Sequence, residues 1–311
     1  FALLAALVAF ASATQDITVD AFRIQAMNGD NRGPISANYM FGYRIALLAS
    51  GALALFLADH MPWTSVYLVM SCLMIVGVLT VMYVKEPQRV VNKTTRALEE
   101  HAKELVKKIE HLPKILHGVL EWTITAVICP FLEFFSRYGV KSLVIVSLIL
   151  VYGISDRSLV FMANPFYLDM GFTKTQIASV AKFFGFFLTI FGTMAGGILI
   201  IRIGIMRTLF AGAVLAASTN LLFALLSKFP TIPMLTLVIS ADNFSGGLAA
   251  AAFVAYLSSL TNAGYSATQY ALFSSLMTLL GTFIAGFSGL VIDAKGYVFF
   301  FGYVALLGIP A

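Results

Sequence analysis

The chemistry-bearing residues of this chain sit where such residues are rare. The stretch ASATQDITVDAFRIQ closes an oily opening run, and in it Asp16 and Asp20 stand four residues apart, with Arg23 three further on. On a helix this spacing puts both carboxylates on one face, one turn apart. Such a pair can exchange a proton or neutralise an arginine, Arg23 or Arg44. It also has the D-x-x-x-D spacing used to hold a diphosphate through magnesium. That chemistry needs a second acidic cluster. Asp156, Asp169, Asp242 and Asp293 are isolated, so no metal site is expected and an enzyme is not the reading adopted.

More charges lie inside apolar runs. Arg44 falls in YMFGYRIALLASGALAL, Asp156 and Arg157 in LILVYGISDRSLVFMANPFYL, Lys182 in QIASVAKFFGFFLTIFG, and Asp242 in TLVISADNFSGGLAAAAFVAYL. Charges within membrane spans are costly and mark pathways, proton relays or buried ion pairs. Asp156 and Arg157 are adjacent and point about 100° apart on a helix, so at least one must find its partner on another helix. Lys182 is placed to hold an anionic solute or to pair with Asp156. Asp242 and Asn243, followed by Ser-Gly-Gly in mid-span, suit a cavity lining. Gln269, at the mouth of SATQYALFSSL, is a candidate for a hydrogen bond to a solute, although a helix-entry amide is the commoner role. Gly192 and Gly196 have the spacing of helix-packing glycines.

These residues are carried by membrane spans. Of the 311 residues, 59% are hydrophobic and 11% charged, and the mean hydropathy is +0.90; a soluble domain carries about 25% charged residues. Runs of some 20 apolar residues call for helices rather than the alternating strands of a membrane barrel. Cys72 and Cys129 are far apart in apolar surroundings, so neither a disulfide framework nor a zinc site is expected. No cofactor and no nucleic-acid partner is expected. Nine apolar segments can be traced, the first and last running off the ends of the chain, which is read as a fragment cut within a span at each end. Three precede and six follow a charged stretch from Lys85. There, RALEEHAKELVKKIEHLPKIL sets Leu98, Leu105, Ile109 and Leu112 at helical spacing. The next stretch, EWTITAVICPFLEFFSRYGV, reads as an amphipathic helix lying in the membrane interface. A tenth span there is disfavoured, because Pro130 and Glu133 interrupt it. Lysine and arginine orient the whole: ten of them between Lys85 and Lys141 make that segment cytoplasmic. Arg23, Arg32, Arg202 and Arg207 then fall on the same side, and Asp59, Lys174, Lys228, Asp293 and Lys295 on the other. Three spans, a linker and six spans match two six-helix halves with the first three spans absent. The expected division is 1–84 for the last three spans of the first bundle, 85–140 for a cytoplasmic linker with amphipathic helices, and 141–311 for the second bundle with its last span truncated.

Five motifs in this order, SATQDITVDAFRIQ, NYMFGYRIALLASGALAL, ANPFYLDMGFTKTQI, NFSGGLAAAAFVAYLSSLTN and SATQYALFSSL, resemble those of the AmpG-type muropeptide permeases of the major facilitator superfamily, along nearly the whole chain. One departure is Asp242, where that family often has Glu. The resemblance implies an all-α membrane protein, a helical bundle of which this chain holds about nine of twelve spans. It implies the bacterial inner membrane and proton-driven import of N-acetylglucosaminyl-1,6-anhydro-N-acetylmuramyl peptides for cell-wall recycling. Arg44, Arg157 and Lys182 would then face solute carboxylates, and Asp16, Asp20, Asp156 and Asp242 would carry the proton or pair with those cations. The alternative within transport is another anionic solute such as acetyl-coenzyme A.

Overall fold

A computed structural model describes residues 2–27, 31–85 and 113–308, together with residues 96, 100, 102, 104, 106 and 107 of the charged linker. Leu98, Leu105, Ile109 and Leu112, on which the helical reading of that linker rests, lie outside the described residues. The described chain is helical, and ten helices are long and apolar enough to cross a membrane. They are α1 (Ala2–Gln25), α2 (Arg32–Ala58), α3 (Trp63–Tyr83), α4 (Leu116–Tyr138), α5 (Lys141–Asp169), α6 (Lys174–Ile203), α7 (Ile205–Leu226), α8 (Ile232–Leu260), α9 (Ala263–Ala285) and α10 (Ser288–Leu307). In lipid no water is at hand for a backbone amide, which is why every element among the described residues of this multi-pass membrane protein is a helix.

Helix α4 covers the stretch read from the sequence as an amphipathic interfacial helix, and is long and apolar enough to cross a membrane. Pro130 does not interrupt it. A π-helical turn, Ile124–Ile128, delivers the chain to the α-helical piece Cys129–Tyr138, with Pro130 in its first turn. The helical backbone runs on through Pro130, which has no N–H of its own to donate. Glu133, which argued against a buried helix, is 1% exposed and fully hydrogen-bonded. Two other helices carry π-helical turns, α2 at Ala49–Leu53 and α6 at Ala178–Phe184. Helix α10 is broken at Gly296, whose φ of 78° ends one helical piece and starts another. Chain direction therefore changes close to Tyr297, where the last span was expected to begin. Thr231 caps α8 by accepting from the N–H of Met234, with Pro233 in the first turn.

The helices pack by small residues, as they must where lipid removes the hydrophobic drive to associate. Helices α6 and α8 meet most closely. A Cβ on Gly192 would lie 2.0 Å from the carbonyl oxygen of Phe244, and one on Gly247 would lie 2.2 Å from that of Thr189. The glycine spacing seen in the sequence is thus a packing seam. Helix α2 lies against α6 and α8, α1 against α9, and α5 against α9 and α10.

Two apolar clusters hold the later helices together. One gathers Leu159, Phe166, Phe223, Leu235, Phe300 and Phe301; the other gathers Phe134, Ile149, Phe253, Leu257, Tyr270 and Phe273. They occupy opposite ends. Arg32, Ile201, Gly204 and Met206 line one cleft with Tyr256 and Ser259, so the arginines assigned to one face by charge do share one end, called here the basic end. Along each helix the polar residues fall between the two clusters: Asp156 between Ile149 and Leu159 on α5, Thr219 and Asn220 between Leu209 and Phe223 on α7, Asp242 between Ile239 and Phe253 on α8.

Candidate functional site

This polar seam is the candidate site. Helix α5 bends at Gly153, which closes the piece Lys141–Tyr152 and opens Ile154–Asp169. Asp156 and Arg157 therefore occupy the first turn of a new helical piece, and the N–H of Arg157 donates to the carbonyl of Gly153 at 3.1 Å. A helix start near mid-span favours a carboxylate through the backbone dipole. Asp156 is solvent-accessible although its neighbours Ser155 and Ser158 are buried. Two cations act on it electrostatically, Arg157 on its own helix and Arg44 on α2.

Arg157 extends to α9, where Nη2 donates to Oγ1 of Thr278 at 3.4 Å. Its stem lies over Gly281: a Cβ there would stand 3.1 Å from Arg157 Cδ. Arg44 is half-buried, and its Nε–H is buried without a hydrogen-bond partner among the described residues. Across the seam Asp242 on α8 accepts from Oγ1 of Thr219 at 3.4 Å and feels the charge of Asp156. A buried tie stiffens the region: Asn220 Nδ2 donates to Ser155 Oγ at 2.7 Å, and Ser155 Oγ donates to the carbonyl of Val304 at 2.9 Å. Four charges from α2, α5 and α8 thus share one region, two carboxylates and two guanidiniums. Insertion scales put such a residue at a helix centre at about 2.5–3.5 kcal/mol each. Collecting them offsets part of that cost and leaves a polar, accessible patch with an unspent donor.

The other sequence candidates lie elsewhere. Asp20 is bound to Arg23, with Nη2 to Oδ1 at 3.0 Å, near the basic end of α1. Asp16, one turn away, is exposed. Asn243 is spent on packing: it accepts from Thr189 Oγ1 at 2.9 Å and donates to the carbonyl of Ile239 at 2.9 Å. Gln269 is 1% exposed, and both ends of its amide are used. Oε1 accepts from the N–H of Asn262 at 2.7 Å, while Nε2 donates to the carbonyl of Pro130 at 2.9 Å and to Glu133 Oε2 at 2.6 Å. That amide seals α4 to the α8–α9 turn and has no free donor for a solute. The side chain of Lys182 lies outside what the structure describes; its backbone is in the π-helical part of α6. Sequence reasoning passed over Thr219, Thr278 and Gly281, whose relevance appears only when α7 and α9 are set beside the charges.

The profile of the Major Facilitator Superfamily matches residues 1–286. The chain belongs to this superfamily. Among similar proteins, a putative transporter named AmpG 4 of Rickettsia conorii is 32% identical over the whole of this chain and 70% of its own length. The anhydromuropeptide permease of Escherichia coli K12 is 30% identical over 99% of this chain and 58% of its own length. An uncharacterized protein of Haemophilus influenzae is 31% identical over 99% and 69%. The AmpG-type likeness first seen in five motifs therefore extends along the chain, and places it among membrane transporters.

Proposed function

We propose that this protein is a proton-coupled importer of anhydro-muropeptides, carrying N-acetylglucosaminyl-1,6-anhydro-N-acetylmuramyl peptides from periplasm to cytoplasm across the bacterial inner membrane. The supporting observation is Arg44, whose buried Nε–H has no partner among the described residues while its charge acts on Asp156, the chain neighbour of Arg157. An unspent guanidinium donor in a polar seam suits a carboxylate, and a muropeptide brings several. On this reading Arg44 and Arg157 take the solute's carboxylates, with Lys182 reaching in from α6. Asp156 and Asp242 exchange the proton, and Asp16 lies on the same path. Asp20, already paired with Arg23, is left out of the coupling set. The likeness to the Escherichia coli permease supplies the solute class. Residues 1–84 and 141–311 then belong to two helical bundles joined by a cytoplasmic segment, 85–140, in which α4 is a membrane-length helix resting on the second bundle.

The test is competition. In energised membranes carrying the intact gene product, uptake of labelled anhydro-muropeptide is measured against unlabelled competitor, either native or with its peptide carboxylates amidated. The native competitor is expected to block uptake and the amidated one to do so at least about tenfold less well, the factor that ~1.4 kcal/mol of lost binding gives. Equal competition would refute carboxylate recognition by Arg44 and Arg157.

A further inference from the structure

We infer that Tyr43 is a platform on which a neutral sugar ring of the solute stacks, with Asp16 facing the hydroxyl rim of that ring, and that this pair turns the solute so that its carboxylates meet Arg44 and Arg157. The inference rests on the proposed function for the solute and adds which end of it goes where. A helix turns by about 100° per residue. On α2, with Tyr39 as the reference, Tyr43 then points about 40° round, Ser36 about 60° and Gly33 about 120°, all in the same sense. The neighbours of Tyr43 on this wheel face inward. The Tyr39 ring lies 4.6 Å from the guanidinium carbon of Arg23 on α1. Ser36 is 0% exposed. A Cβ on Gly33 would stand 2.7 Å from the carbonyl oxygen of Gly197 on α6. Tyr43 points between Tyr39 and Ser36, and yet it is 52% exposed. Its ring therefore faces a space flanked by α1 and α6, and not the outer side of α2.

Helix α1 presents a carboxylate at the same level. Counted from Arg23, Asp16 points about 20° round and Asp20 about 60° in the same sense. Asp16 thus lies within the arc of two residues that are packed inward. Arg23 is 5% exposed, and its guanidinium donates to Asp20 at 3.0 Å and to Ser258 on α8 at 2.8 Å. Asp16 itself is exposed. The Tyr39 hydroxyl donates to Asp20. One turn further from the basic end, about 6 Å along each helix, stand Tyr43 and Asp16. A carboxylate has acceptors only, so it takes hydroxyl and amide protons and repels a second carboxylate. A pyranose matches both groups. Its C–H face suits an aromatic ring, and its hydroxyl rim suits an acceptor; tyrosine adds a polar tip to a flat apolar body. The cations lie apart from this pair. Arg44 points about 100° further round α2 than Tyr43, and Asp156 of α5 acts on its charge. Arg157 reaches Thr278 on α9. Charge therefore sorts the two ends of the solute, neutral rings toward α1 and Tyr43, carboxylates toward Arg44 and Arg157.

The test reads binding rather than uptake, by equilibrium dialysis of the intact gene product in detergent. The probe is labelled N-acetylglucosaminyl-1,6-anhydro-N-acetylmuramic acid, free of peptide, with its one carboxyl either ionised or amidated. The unaltered protein is expected to bind both forms. Tyr43→Leu is expected to weaken both by roughly tenfold, and Tyr43→Phe, which keeps the ring, to stay within about twofold. Arg44→Gln is expected to weaken the ionised form alone. Asp16→Leu removes the acceptor for the hydroxyl rim, is expected to weaken the amidated form several-fold, and carries the test should Tyr43→Leu not insert. No binding of the amidated disaccharide by the unaltered protein overturns the platform. So does full binding by folded Tyr43→Leu or Asp16→Leu protein, an equal loss in Tyr43→Phe and Tyr43→Leu, or an equal loss of both forms in Arg44→Gln. Disaccharide bound through Tyr43 by a protein that takes up no muropeptide keeps the platform and sinks the import assignment; muropeptide uptake with disaccharide binding that Tyr43→Leu leaves unchanged does the reverse.

Discussion

Gln269→Leu separates a structural amide from a solute-binding one. The substitution nearly conserves volume but deletes three hydrogen bonds: to the carbonyl of Pro130, to Glu133 Oε2 and from the N–H of Asn262. All three sit where the residue is 1% exposed, so water does not replace them. Glu133 keeps Asn262 Nδ2 at 2.7 Å and Arg137 Nε at 3.3 Å, and is not left as a bare charge. Interhelical hydrogen bonds in membrane proteins are worth about 0.6 kcal/mol on average and up to about 1.7. Three give a destabilisation of about 2–5 kcal/mol. The assay is equilibrium unfolding in mixed micelles, paired with the solute concentration for half-maximal uptake in the surviving folded protein. The expected result is a large loss of stability with that concentration unchanged. A loss below about 1 kcal/mol, or a several-fold weaker apparent affinity at full stability, would refute the placement of Gln269 as a seal between α4 and the α8–α9 turn.

Other outcomes rest on single contacts. Gly247→Ala must push α6 and α8 apart by roughly 1 Å, since its Cβ would begin 2.2 Å from the carbonyl oxygen of Thr189; overpacking of this kind costs about 1–3 kcal/mol. Gly246→Ala, with nothing within 4 Å of the new atom, is expected to be neutral or to gain up to ~1 kcal/mol from helix propensity; the two are compared by thermal unfolding. Asp242→Asn is expected to abolish proton-driven accumulation while leaving solute exchange at equal concentrations, and Thr219→Val to weaken accumulation only in part. Arg44→Gln is expected to lower uptake kcat/KM by about tenfold or more. Combining it with Asp156→Asn should cost less than the two single losses together, because each acts on the other's charge.

Much of this was legible in the sequence. Span positions and the one-sided arginines follow from hydropathy and charge, and both are local properties. The need for an outside partner at Asp156–Arg157 followed from helical geometry alone, and Thr278 on α9 answers it for Arg157. The illegible parts are long-range. Nothing near Arg23 announces Ser258, 235 residues away, so the sequence does not show that the Asp20–Arg23 pair is anchored to α8. Gln269 and Asn243 looked available because an amide's partners are invisible until helices are packed. The continuity of helix α4 was hidden because Pro130 and Glu133 are breakers in isolation. A π-helical turn accommodates the first, and Asn262, Gln269 and Arg137 satisfy the second.

The most direct measurement is uptake of labelled anhydro-muropeptide into energised, right-side-out membrane vesicles carrying the intact gene product, with and without a protonophore. The account predicts accumulation that the protonophore abolishes and that Asp242→Asn loses. Absence of uptake by a correctly inserted, well-expressed protein, or accumulation indifferent to the protonophore, would contradict it.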